Sequence, residues 1–153
     1  MSEQAKPEQA DRASLVAFFD RWTELVRAVD FATAREMFDP DLVGFGTYAD
    51  IVIGRDVVIS GQWMQVWPKI AEFRFRTEAL HVDVSPDRRM AYAAVPWTST
   101  GFHEDGRAFA RNGRATVTFR RAAVEAPWRG LHTHFSLNRG TPELSFGRPV
   151  MTA

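Results

Sequence analysis

Two pairs of side chains in this sequence have the types and spacing for proton-transfer or metal chemistry. His81 and Asp83 stand two apart in a run, 72–84, that reads as a strand. Alternate residues of a strand share a face, so an imidazole and a carboxylate placed this way could couple as a base and the group that orients it. The pair has a plainer reading as well, with Asp83 capping the Ser85-Pro86 turn and His81 on the surface. His132 and His134 repeat the two-residue spacing, from which imidazoles on a strand can chelate zinc. A catalytic zinc site needs a third protein ligand, and neither an HExxH helix nor a cysteine accompanies the pair. No metal and no other cofactor is therefore expected. Gly44-Phe45-Gly46 is too short for a dinucleotide fingerprint, and no G-x-S-x-G elbow marks a nucleophilic serine.

The elements that must position these residues follow from hydrophobic period. Leu15, Phe18, Phe19, Trp22, Leu25, Val26 and Val29 recur at helical spacing after Asp11 and Ser14, both good N-caps. A short second helix, 31–38, stops at Asp39-Pro40-Asp41. Two short strands, 42–45 and 51–53, precede a third helix, 57–66, on which Trp63 and Trp67 share a face. Long strand runs follow at 72–84, 89–100, 107–121 and 128–138, punctuated by Ser85-Pro86-Asp87 and His103-Glu104-Asp105-Gly106. In the last run, Leu131, Thr133, Phe135 and Leu137 fall on one face. Trp128, Gly130, His132, His134 and Ser136 fall on the other. Neither set is solvent-like, so both faces are expected to be covered. The order predicts an α+β domain, residues 14–138, between a flexible N-terminal tail, 1–13, and a C-terminal tail, 139–153.

Composition narrows the partners. A chain of 153 residues is one domain by size. Nineteen basic and nineteen acidic residues cancel, which speaks against nucleic acid or an anionic membrane as partner. The chain holds no cysteine, signal core or spanning apolar run, so a soluble protein of the cytoplasm is expected. Five tryptophans and twelve phenylalanines exceed what a modest core needs and favour clefts and interfaces. Arg111, Asn112 and Arg114 open a long strand, where they read either as rim residues selecting a ligand's polar end or as a solvated strand end.

Asp30-Phe31-Ala32, Phe38-Asp39-Pro40-Asp41-Leu42 with Phe45, Gly54, and Trp128 followed by His132, His134 and Ser136 resemble the SnoaL-like group of the nuclear transport factor 2-like superfamily. They also resemble the association (hub) domain of calcium/calmodulin-dependent protein kinase. The resemblance implies a cystatin-like cone, with three N-terminal helices packed on a strongly bent antiparallel sheet, and a homodimer formed through the convex sheet face. It puts Leu131, Thr133 and Phe135 toward the pocket, and Trp97, His132 and His134 at the dimer interface. The hub's pocket arginines would fall at Pro96, Val117 and Phe135, which implies an apolar, aromatic cavity without an arginine. With no kinase domain ahead of it, a kinase-hub role is not expected. Ligand-binding positions implied on the cone-lining elements are Trp22, Phe38, Trp63, Trp67, Tyr92, Asn112 and Phe135. Superfamily enzymes are metal-free isomerases, cyclases and dehydratases, so Asp83 or His81 would act as base and Tyr48 or Tyr92 as electrophilic donor. The expected partner is a hydrophobic small molecule, aromatic or polyketide-like. The competing reading is a non-catalytic dimerisation or interaction module on the same fold.

Overall fold

The computed structural model describes residues 5–149. The apolar stripe Leu15, Phe18, Phe19, Trp22, Leu25 and Val26 is buried along helix α1 (Ala5–Ala28). The helix starts well before Asp11 and Ser14, so residues 5–13 are helical rather than a tail. Distant partners explain this. The buried Asp11 carboxylate accepts from Arg88 and Arg121. The Ser14 hydroxyl donates to the Asp11 carbonyl at 2.8 Å and accepts from the Trp128 indole at 2.9 Å, so neither side chain serves as a cap. Residues 1–4 and 150–153 of the two expected tails lie outside the described residues.

Helix α2 (Phe31–Arg35) is capped by Asp30, whose carboxylate accepts from the Thr33 amide at 3.0 Å. It ends before Phe38, which opens strand β1 (Phe38–Phe45) instead. After strand β2 (Ile51–Ile53), Gly54 turns the chain at φ 101° into one helical run, 55–69. The run comprises α3 (Arg55–Val58), a π-helical turn (Ile59–Trp63), α4 (Met64–Val66) and a 3₁₀ turn (Trp67–Lys69). The Asp56 carboxylate at its start pairs with Arg35 at 2.8 Å. The changes of helical pitch leave Trp63 and Trp67 stacked at 4.6 Å, on one face as their spacing predicts.

Among the described residues the sheet has eight strands. The expected run 72–84 divides into β3 (Ala71–Phe75) and β4 (His81–Val84) around a 3₁₀ turn, Thr77–Ala79. Strands β5 (Met90–Phe102), β6 (Ala108–Ala110), β7 (Gly113–Arg120) and β8 (Arg129–Leu137) follow. The path runs β2-β1-β8-β7-β5-β3, with β4 and β6 also on β5. The β5–β7–β8 meander is antiparallel, but β1 joins β8 in parallel, so the sheet is mixed. A register shift between Thr118 and Phe119 makes Leu131 an extra residue on β8. This bulge overturns the expected face assignment for Trp128 and Gly130. Before it, Trp128 and Gly130 face inward, Trp128 buried against Phe119, and Gly130 so close to Phe38 that a Cβ there would stand 2.4 Å from the ring. After it, Thr133 and Phe135 face inward, and His132 and His134 outward.

Candidate functional site

The helices close one side of the bent sheet, and their aromatic side chains meet those of its inner face. A cavity of about 50 Å³ remains between Trp22 and Val26 of α1, the 55–69 run, Phe73 of β3, Trp97 of β5 and Phe135 of β8. Six aromatic rings line it, and its polar wall consists of Thr47, Gln62 and Arg111. Gln62 reaches the wall by lying over the Gly44-Phe45-Gly46 segment, where a Cβ on Gly46 would fall 1.2 Å from its amide nitrogen. That close crossing, not phosphate chemistry, is what the two glycines serve.

Arg111 is the unusual member. It follows β6 and hydrogen-bonds to β5: its amide donates to the Ser99 carbonyl at 2.8 Å and its own carbonyl accepts from the Ser99 hydroxyl. The side chain threads past Gly101, where a Cβ would stand 3.0 Å from Arg111 Cδ. The residue is 2% exposed. Its Nη2 donates to the Thr47 hydroxyl at 3.0 Å and to the Glu143 carbonyl at 3.2 Å, while Nε has no partner among the described residues. Burial alone pushes its pKa down, to about 10, and no carboxylate acts on it. At neutral pH it remains a cation. Two further donors of the cavity wall, Trp22 Nε1 and Trp97 Nε1, are also buried without partners.

The 138–149 segment reaches Arg111 through the Glu143 carbonyl. It is irregular yet tied down: the Phe146 amide donates to the Phe102 carbonyl, and the Ser145 hydroxyl joins the Phe102 amide to the Lys69 carbonyl. Tyr48 stands beside it, 54% exposed, on a shallow depression shared with Glu143 and Leu144.

The other expected site residues divide between the two faces of the sheet. Trp22, Trp63, Trp67 and Phe135 line the cavity. Phe38 is core, edge-on to Trp22 and Trp63 behind the cavity wall. Asn112 is structural, its side-chain carbonyl accepting from the Ser99 amide at 3.2 Å. Trp97 is 2% exposed against Phe73 and Phe135, so it belongs to the cavity and not to a dimer face. Tyr92 is on the outer face, five residues along β5 from Trp97. His81 and Asp83 register with Ala94 and Tyr92, so they share a face as expected, but it is the outer one; Val82 and Val84 point to the core. Asp83 does not cap the turn, which Ser85 and Asp87 hold between them. His132 and His134 are outward: His132 Nδ1 hydrogen-bonds the Val43 carbonyl at 2.7 Å, and both rings meet Phe45 edge-on. Pro96 also faces outward, so the implied arginine positions are not all pocket positions, and the expectation of a cavity without arginine is replaced by Arg111.

Residues 15–139 match the SnoaL-like domain family. The chain belongs to that family. Among solved structures, this SnoaL-like domain is similar to a nuclear transport factor 2-like superfamily protein from Salmonella enterica (TM-score 0.70, 15% identity, 88% of this chain and 96% of that one). It is similar to the association domain of calcium/calmodulin-dependent protein kinase II from C. elegans (TM-score 0.65, 14% identity, 84% and 97%). It is also similar to a ketosteroid isomerase-like protein from Erwinia carotovora atroseptica (TM-score 0.63, 14% identity, 85% and 93%). At such identities the likeness is one of fold, the α+β cystatin-like class. No curated protein sequence matches. The lining residues that sequence reasoning missed or left undecided are Thr47, Gln62, Phe73 and Arg111. A signal for Arg111 existed in Gly101, a strand glycine marking a close approach.

Proposed function

We propose that this SnoaL-like domain binds a compact organic molecule in its cone. The observation that carries the reading is an aromatic cavity in which three N–H donors, on Trp22, Trp97 and Arg111, are buried without partners. Each unmet donor costs about 1–3 kcal/mol, which an acceptor-bearing ligand relieves. Size narrows the ligand. Pockets that enclose drug-sized molecules span roughly 300–1,000 Å³, so a cavity of about 50 Å³ excludes a polyketide-like guest unless the Trp63–Trp67 stack moves. Binding is favoured over proton transfer because no carboxylate, imidazole or phenol is among the lining side chains. Likeness to a ketosteroid isomerase-like protein supports small-molecule use of the same cone.

Four of the five tryptophans line the cavity and Trp128 lies elsewhere, which provides an internal control. In ¹H–¹⁵N spectra, titration with small fragments is expected to move the indole signals of Trp22, Trp63, Trp67 and Trp97 and leave Trp128 still. A uniform response of all five, or none to any fragment, would remove the reading.

A second reading runs alongside the first. The outer face carries Ile53, 68% exposed, with Ile51, Phe45, Tyr92 and His134 spread across neighbouring strands. Exposed apolar side chains on an otherwise polar sheet face fit a second copy of the chain, and the likeness to an association domain supports a homodimer there. Sedimentation is expected to show a dimer that Ile53→Asp converts to monomer; an unchanged mass for both proteins at monomer size would refute the pairing.

A further inference from the structure

We infer that residues 141–148 form a releasable strap that holds the cone shut, and that ligands enter where it lifts. The strap follows from its contacts; what it admits rests on the cone being a ligand site. Val66 and Arg111 of the cavity wall also floor the surface depression formed by Tyr48, Glu143, Leu144 and Ser145. Val26, Ile70 and Phe73 likewise separate the cavity from a second depression, which Arg148 also lines. One segment therefore lies over both places where the cavity wall is a single side chain thick.

Ser145 is the centre of the fastening. Its hydroxyl accepts from the Phe102 amide at 3.0 Å and donates to the Lys69 carbonyl, so it joins the end of β5 to the end of the 55–69 run. That run carries Trp63, Val66 and Trp67, so freeing Lys69 frees the wall that must move for the small cavity to widen. The Phe146 amide adds its bond to the Phe102 carbonyl at 2.8 Å, and the Glu143 carbonyl accepts from Arg111 at 3.2 Å. Little apolar burial opposes release. Leu144 and Phe146 are 53% and 52% exposed, so hydrogen bonds and not core packing hold the strap. Segments held in this way open at a small fraction of the global stability. Gly140, just before the strap, and Gly147, near its end, sit at φ 84° and 86°, where glycine alone turns without strain. The chain can swing at both points.

Hydrogen exchange on the full chain tests the strap. Trp22 and Trp97 carry cavity indole N–H groups that bond nothing, while the Trp128 indole is bonded to Ser14 and lines no part of the cavity. Ser145→Ala removes two of the strap's bonds. It is expected to speed exchange of the Phe146 amide and of the Trp22 and Trp97 indoles together, by about ten- to thirty-fold, the span of two ordinary hydrogen bonds, and to leave Trp128 unchanged. Gly147→Ala strains the backbone without bringing a Cβ nearer than 3.7 Å to any neighbour, and is expected to act in the same direction. A faster Phe146 beside unchanged cavity indoles would show a loose segment that closes nothing. Equal acceleration of Trp128 would make Ser145 a fastener of the whole fold. Either result overturns the strap, as does an unaltered Phe146 in both variants. Cavity indoles that exchange faster yet respond to no fragment would uphold the strap and remove the ligand reading.

Discussion

Arg121 and Arg111 are buried to nearly the same degree, 7% and 2% exposed, in two different parts of the domain. Around Arg121 every charge is answered. Its Nη2 donates to Asp11 at 2.8 Å, its Nε to the Arg88 carbonyl at 2.8 Å, and its guanidinium lies 3.8 Å over the Trp128 ring. Asp11 in turn takes two bonds from Arg88, at 2.7 and 3.0 Å. Among the described residues no carboxylate answers Arg111. The comparison teaches that burial of an arginine is not in itself the mark of a site. What separates a fastener from a ligand group is whether the counter-charge is part of the chain. The first arrangement ties the start of α1 to the ends of the sheet; the second stores an unmet charge beside a cavity.

Asp11 is where the comparison breaks most visibly. Asp11→Ala strands Arg121 without its carboxylate and is expected to destabilise the domain by about 3–5 kcal/mol, measured by chemical denaturation; a loss under about 1 kcal/mol would make the cluster incidental. Acid should dissect the same cluster. The Arg88 bond, aided by Arg121 and opposed by burial, holds the Asp11 carboxyl below its ordinary 3.8. A depressed folded pKa means that the stabilisation is complete above the unfolded value and is lost as pH falls from about 4 through the lower folded value. Asp11→Asn is expected to flatten that acid limb, whereas Arg111→Met, with no carboxylate to lose, leaves it unchanged. The smallest effect belongs to the tryptophans. Trp128→Phe forfeits the bond to Ser14 and the contact with Arg121, while Trp97→Phe removes an indole N–H that bonds nothing. Trp128→Phe is expected to be the more destabilising by about 1 kcal/mol, and the reverse order in thermal melts would contradict the assignment of partnered and unpartnered donors.

The same contrast explains what could be read in the sequence. Period alone placed Leu15 to Val26 on one helix stripe, set His81 beside Asp83, and stacked Trp63 near Trp67. Period does not say which side of a strand meets the core: His81–Asp83 and Tyr92 fell outside the cone, and Trp97, on the opposite phase of β5 from Tyr92, fell inside. The bulge at Leu131 moved Trp128 and Gly130 to the inner face with no local signature. Asp11 looked like a cap because its partners are 77 and 110 residues away. Arg111 looked like a strand end because its environment is assembled from Thr47, Glu143 and the gap at Gly101, none of them neighbours in the chain.

The most direct measurement is urea unfolding of Arg111→Met and Arg121→Met side by side with the parent protein. Replacing a buried cation that lacks a counter-charge by an apolar side chain is expected to leave stability unchanged or raise it by about 1 kcal/mol, whereas removing the partner of Asp11 is expected to lower it by about 3 kcal/mol. Opposite or clearly unequal responses would mark Arg111 as a group held for a ligand. An equal loss in both variants would contradict it and make Arg111 one more fastener of the fold.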